Sequence, residues 1–283
     1  MADLNFRKMR VAFQGEPGAF SEAAAVQLLG EEIHPVPRAT FDTLFRAIEE
    51  GAADALMVPL ENTLAGSVVR VYDLMVQSPL EMCGETILPI VHHLIGYPGA
   101  KLEDIRSVAS HPMALAQCER FFLEHPGLKR VPAEDTAGSV REMMARGKRE
   151  YAAIAGRRAA LHYDAVVLKE NIEDDPENFT RFLLLLPPEQ AARYRSADAR
   201  KISLTLRLAH KPGALLATLE PFANHGVNLL KIESRPIHGK PFEYQFFVDL
   251  EAADPAQLAM ALEEVKEATT QLRVLGSYGA AKR

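Results

Sequence analysis

The stretch ENFTRFLLLLP, residues 177–187, sets a hydroxyl and a guanidinium, Thr180 and Arg181, directly before an apolar run that must be buried. Solvation is poorest there, so the two side chains either cap a core strand or act on something that enters a dry pocket. Low dielectric strengthens any hydrogen bond made at the mouth of such a run. A second signal recurs at one structural place. Residues 15–18, 61–67, 110–112 and 136–139, and Gly156, each follow an expected strand and open an expected helix. Helix N-termini present unpaired N–H groups and about half a positive charge, which favours anions. Several of them around one crevice, outside the carboxyl ends of the strands, would suit a small ligand with more than one carboxylate. Taken singly, each loop is also read as a plain cap or turn. The run GEPGAF lacks the GxGxxG spacing, so it is a weak dinucleotide signal.

The elements that must hold these residues alternate in type. RVAFQ reads as a strand, the turn GEPG follows, and a helix starts near Ala19. DALMVPL is the next strand, then ENTLAGS and a helical VVRVYDLM. TILPIVHHLIGY reads as a strand pair or one long strand. SVAS leads through His111 and Pro112 into the amphipathic MALAQCERFFLEH, and DTAGSVREMMARG is a helix capped by Asp135 or Thr136. YAAIAG, RRAALHY and AVVLKENI continue as strand, helix and strand. Strands alternating with helices predict an α/β domain with largely parallel pairing. From about Pro187 the polar, proline-marked PPEQAARYRSADARK predicts a linker. Beyond it KISLTLRLA, PGALLATLEPFANH closed by Gly226, VNLLKIESRPI, the turn HGK, FEYQFFVDLE, a helix started by Asp254 and Pro255, and RVLGSY give the order βαββαβ, a ferredoxin-like unit.

Length and composition set outer bounds. The chain has 283 residues, 48% hydrophobic and 25% charged, as in an ordinary soluble globular protein of two domains. A formal charge of -6 and the lack of a Lys/Arg cluster give no reason to expect nucleic acid. Two cysteines, Cys83 and Cys118, make no disulfide or zinc framework. The nine histidines show no HExxH spacing, and His92 and His93 point to opposite faces of an alternating run, so no metal site is expected. No signal peptide and no apolar stretch of membrane-spanning length is read, which makes the cytoplasm the default compartment.

GEPGAFSEAAA, VPLENTLAGSV, SHPMALAQ, DTAGSV and NFTRFLLL, in this order and ahead of PGALL and ESRP, resemble the prephenate dehydratase family followed by its ACT regulatory domain. The resemblance covers about residues 9–277. It implies a catalytic domain over 9–188, built as two α/β lobes around a cleft like a periplasmic binding protein, a linker over 189–200 and an ACT domain over 201–279. No chorismate mutase-like helical segment is seen ahead of the motifs, which implies the monofunctional form. The implied reaction converts prephenate to phenylpyruvate, water and carbon dioxide for phenylalanine synthesis, with no metal or organic cofactor. The ring hydroxyl is a poor leaving group until a proton reaches it, and loss of the ring carboxylate as carbon dioxide restores aromaticity. General acid help is worth about 10²–10⁴-fold, or roughly 3–5 kcal/mol of barrier.

The resemblance implies roles residue by residue. Thr180 is the donor to the departing hydroxyl, and Arg181 either forks a substrate carboxylate or pairs with Glu173, Asp174 or Asp175. Glu61 and Asn62 match a pair of pocket polar groups that orient substrate or donor. Ser110 and Gln117, seven residues apart, face the cleft if one helix carries both; otherwise they are a cap and a solvated position. Thr136, Gly138 and Ser139 match the loop for the pyruvyl or carboxylate end, and Phe182 a substrate contact. In the second domain Pro212, Gly213, Ala214 and Leu215 with Glu233, Ser234 and Arg235 match the phenylalanine site of related ACT domains, formed across a subunit interface. That implies L-Phe as feedback inhibitor, and a homodimer or homotetramer joined through this domain. Arogenate, with an amino group in place of the keto group, is the alternative substrate. A binding protein that keeps cleft and sensor without catalysis is the alternative class.

Overall fold

The computed structural model describes residues 8–194, 199–237, 239–240 and 242–281. The chain divides into two compact units. The larger, residues 8–79 with Thr86–Leu184, contains two lobes, each built on its own sheet. The first lobe runs β1 (Arg10–Gln14), α1 (Phe20–Leu29), β2 (His34–Arg38), α2 (Phe41–Glu49), β3 (Ala55–Asn62), β4 (Gly66–Ser67), α3 (Val69–Gln77) and β5 (Glu81–Pro89). The second runs β6 (His93–Gly96), β7 (Ser107–Ser110), α4 (Pro112–Ala116), α5 (Glu119–Glu124), β8 (Lys129–Pro132), α6 (Thr136–Arg146), β9 (Tyr151–Ala155), α7 (Arg157–His162) and β10 (Val166–Lys169). The chain then returns to the first sheet as β11 (Phe179–Leu186).

The first sheet has the order β2-β1-β3-β11-β5, with β4 beside β3. Val11, Ala12 and Phe13 of β1 are wholly buried, as in a central strand covered on both faces. The apolar run after Thr180 is β11, between β3 and β5, with Leu183–Leu186 buried. The second sheet has the order β10-β6-β9-β7-β8 and mixes directions: β7 is parallel to β8 and β9, whereas β6 is antiparallel to β9 and β10.

Two expected elements divide differently. TIL and HLIG are separate strands in separate sheets, because residues 90–92 carry the chain from one lobe to the other. MALAQCERFFLEH is two short helices broken at Gln117–Cys118. Asp174 makes the break favourable: its carboxylate accepts from Glu119 N (2.7 Å) and Arg120 N (2.9 Å) as a cap for α5, and its own N–H donates to Gln117 O.

The smaller unit comprises Leu80–Glu85 and Leu185–Ala281. The stretch expected as a linker begins with a helix, α8 (Pro188–Tyr194), which Pro188 starts, Glu189 favours in its first turn and Ala191 anchors by burial; residues 195–198 lie outside the described ones. β12 (Lys201–Arg207), α9 (Ala214–Asn224), β13 (Asn228–Pro236), β14 (Tyr244–Glu251), α10 (Pro255–Ala268) and β15 (Gln271–Tyr278) follow in the expected order βαββαβ. The sheet order β13-β14-β12-β15 is ferredoxin-like. Leu204, Leu206, Phe222, Val248, Leu250, Ala261 and Val265 form its core. Asp254 Oδ1 caps α10 through Ala256 N at 2.8 Å. The expected turn HGK includes His238, outside the described residues. Among the described residues no helix is long and apolar enough to cross a membrane.

Candidate active site

A cleft of about 540 Å³ lies between the two lobes of the larger unit. Four of the five expected loops line it, through Gly15 and Ala19, Asn62 and Ala65, His111 and Met113, and Asp135 and Thr136. The start of α2, with Thr40 and Asp42, lines it as well. The fifth loop does not: a Cβ on Gly156 would meet the Phe20 ring at 2.9 Å, so this glycine serves packing. The lobes are held together around the cleft. Glu16 pairs with Arg141 at 2.5 Å and the buried Glu22 with Arg158 at 2.8 Å. Gly18, at φ +89°, lies so close to Ala159 that a Cβ would come within 2.5 Å of its Cα.

Strand alternation sorts the expected residues. Thr180 is buried and lines the cleft beside Asn62 and Phe182. Glu61 and Arg181, the next residues along the same two strands, pair with each other at 3.3 Å and are not part of the lining. Arg181 thus answers a carboxylate of its own sheet instead of Glu173, Asp174 or Asp175. Ser110 ends β7 and donates to Ile154 O at 2.6 Å, fully buried. It shares no helix with Gln117, because α4 begins only at Pro112. Thr136 lines the cleft, but Gly138 N is bonded to Asp135 Oδ1 at 2.5 Å and Ser139 Oγ donates to Asp135 O at 2.7 Å.

A chain of amides leads away from Thr180. Asn62 Oδ1 accepts from Leu64 N (3.0 Å) and Ala65 N (2.8 Å), which fixes the orientation of its amide. Its Nδ2 therefore faces Thr180 Oγ1 at 2.9 Å and Asn178 Oδ1 at 2.7 Å. Asn178 Nδ2 donates to Gln117 Oε1 at 3.2 Å, and His92 Nε2 lies 3.0 Å from the same oxygen. That oxygen can only accept, so His92 carries its proton on Nε2. Burial pushes the His92 pKa down, against the Gln117 hydrogen bond and the Glu173 charge, and keeps the ring neutral. Sequence reasoning missed Asn178 and His92. Asn178 was open to discovery, since it sits two residues before Thr180 at the entry to the same apolar run; no sequence signal marks His92.

Charge in the cleft is uneven. Among the described residues of the lining, Arg70 is the one Lys or Arg, and its guanidinium is paired with Asp42. Glu134 and Asp135 line the same space, and burial holds the Asp135 carboxyl above the usual aspartate range.

The prephenate dehydratase profile matches residues 11–190, the whole of this two-lobed arrangement. The chain belongs to the prephenate dehydratase family. Its members dehydrate and decarboxylate, and this chain is accordingly a lyase. The ACT domain profile matches residues 202–267 of the smaller unit. Arogenate dehydratase/prephenate dehydratase 1 of Arabidopsis thaliana, a chloroplastic protein, is 38% identical over 98% of this chain and 74% of its own. A prephenate dehydratase from Arthrobacter aurescens, solved in complex with L-Phe, is 33% identical with a TM-score of 0.84, covering 96% of this chain and 90% of that one. GqqA, described as a novel type of quorum quenching acylase, is also 33% identical, with a TM-score of 0.85 over 96% and 98%.

Within this dehydratase the expected effector residues of the ACT unit differ in exposure. Gly213, at φ +78°, opens α9 without a side-chain cap, and Pro212 and Gly213 are exposed. Ala214 is buried and Leu215 exposed. Glu233, Ser234 and Arg235 lie on β13, an edge strand of the sheet.

Proposed function

We propose that this dehydratase converts prephenate to phenylpyruvate, water and carbon dioxide, with feedback inhibition by L-Phe at the ACT domain. One observation carries the catalytic part: the Asn62 amide is locked with its N–H toward Thr180 Oγ1. A hydroxyl that already accepts from an amide directs its own hydrogen elsewhere, and for Thr180 the open direction is the cleft. Thr180 then donates to the ring hydroxyl as its C–O bond breaks. The C–C bond to the ring carboxylate breaks with it, its electron pair enters the ring, and carbon dioxide leaves. One proton is consumed as the hydroxide departs as water. Asn62, Asn178 and Gln117 hold the donor, and Phe182 supplies an apolar wall. Glu61, Arg181, Ser110, Gly138 and Ser139 support the lobes from behind the lining. An acyl-transfer role for Thr180 would require a base to take its proton, and the neighbour at 2.9 Å is an amide that donates.

Arogenate is the second reading, favoured by Glu134 and Asp135 in the lining, which would pair with an ammonium group. The feedback part draws on the family's ACT domain and on the L-Phe complex of the Arthrobacter enzyme. The test is ultraviolet detection of phenylpyruvate from prephenate, with arogenate assayed in parallel. Thr180→Ala should lower kcat by about 10²–10⁴-fold with the melting temperature retained, and Thr180→Ser should keep far more activity. Near-normal turnover by Thr180→Ala would refute the role.

A further inference from the structure

The proposed substrate carries two carboxylates, and the cleft's own bonds narrow where they bind. The N-terminus of α6 is already taken by Asp135, that of α2 by the Thr40 side chain, and Arg181 by Glu61. The start of α1 differs. Its N-cap is Ala19, and no side chain caps the ten-residue helix. The first-turn N–H groups of Phe20 and Ser21 therefore have no intrahelical acceptor. Ser21 is 7% exposed and lines the cleft at this turn. Among the described residues its hydroxyl has no hydrogen-bond partner. The side chain is otherwise enclosed and its hydroxyl opens onto this ligand-sized space, so what the space holds is placed to pair with it.

We propose that Ser21 and the first turn of α1 form the subsite for one carboxylate of the substrate, with the hydroxyl and the Phe20 and Ser21 N–H groups as donors. The assignment rests on the dehydratase reading above. The positive end of the helix adds to the attraction. Glu22, next in the turn, does not compete: its carboxylate accepts from Gly18 N at 2.7 Å and from Arg158 Nε at 2.8 Å. Glu16, at the preceding loop, is neutralised by Arg141.

The test uses the full-length chain and two substitutions. Ser21→Ala removes one donor to a charged group and should raise KM for prephenate about tenfold, with kcat within about twofold. Ser21→Asp places a fixed negative charge in a helix first turn, which favours the helix but repels a carboxylate. It should raise KM by about 100-fold or more while the melting temperature holds. The same shifts in Kd for prephenate, read by calorimetry, test the subsite independently of turnover. Wild-type KM and Kd in both variants overturn the subsite, even where Thr180→Ala is inert and the dehydratase reading stands. Inhibition by phenylpyruvate identifies the carboxylate: its loss in Ser21→Asp assigns Ser21 to the side-chain carboxylate that the product keeps. Unchanged inhibition beside a raised prephenate Kd assigns Ser21 to the ring carboxylate that leaves as carbon dioxide.

Discussion

At the scale of single residues the cleft is an argument about which atom donates. Asn62 Oδ1 is pinned by Leu64 N and Ala65 N, so the amide cannot turn over, and Thr180 Oγ1 receives a hydrogen bond from Nδ2 at 2.9 Å. Asn62→Asp keeps the pinned oxygen and the volume but replaces the donor with a second acceptor. The Thr180 hydroxyl would then give its hydrogen to the introduced carboxylate, not to the substrate. We expect kcat to fall by about 10²–10⁴-fold, as for loss of the donor itself, with KM changed much less. A variant that keeps wild-type kcat would show that the direction of this bond is irrelevant to the reaction. The prediction separates polarity from mere occupancy, because Asn and Asp have nearly the same shape.

Helices and strands explain why part of this site was legible in the sequence and part was not. The apolar run after Thr180 brought out a buried strand, and that strand is β11, on which alternation turns Arg181 to Glu61. Positions that depend on a distant partner were hidden: the break at Gln117 exists because Asp174, far along the chain, caps α5. β2 was obscured by Pro35 and Pro37, which an edge strand tolerates because only one side is hydrogen-bonded. Asp135 was foreseen as a candidate cap of α6, but not that it would fill that helix end and block it to an anion. This cap gives a prediction with a definite sign. Burial, followed by the charges of Glu16 and Glu134, outweighs the Gly138 hydrogen bond and Arg141 and raises the Asp135 pKa in the folded chain. A raised pKa means that the stability contributed by the protonated form is full below the ordinary aspartate range. It is lost as pH rises through the folded value. Asp135→Asn retains an acceptor for Gly138 N without the charge. Denaturant unfolding should therefore show the variant gaining on wild type between strongly acid pH and pH 7. A variant that instead loses ground over that interval would contradict the sign.

For the molecule as a whole, the ACT unit stands out by how apolar its edge strand is. β13 exposes Leu229, Leu230 and Ile232, with a register shift against β14 between Leu229 and Lys231. An apolar edge strand is an aggregation hazard unless it is covered, and a second copy of the same strand covers it by symmetry. Glu233, Ser234 and Arg235 continue on that strand, so an effector site using them would be completed where two copies meet. We therefore expect the chain to sediment as a dimer or larger species and L-Phe to inhibit turnover. A coupling of about 1–3 kcal/mol, typical of such linkage, corresponds to an effect of roughly 5–150-fold on substrate affinity. Because linkage is reciprocal, a substrate analogue bound in the cleft must weaken L-Phe binding by the same factor. Ile232→Lys places a charge on the exposed face of β13. It should shift the sedimenting species toward monomer and weaken L-Phe binding in parallel, since both depend on the same contact. If the variant became monomeric and still bound L-Phe as tightly as wild type, the effector site would have to lie within one copy, and the expected role of the interface would fall.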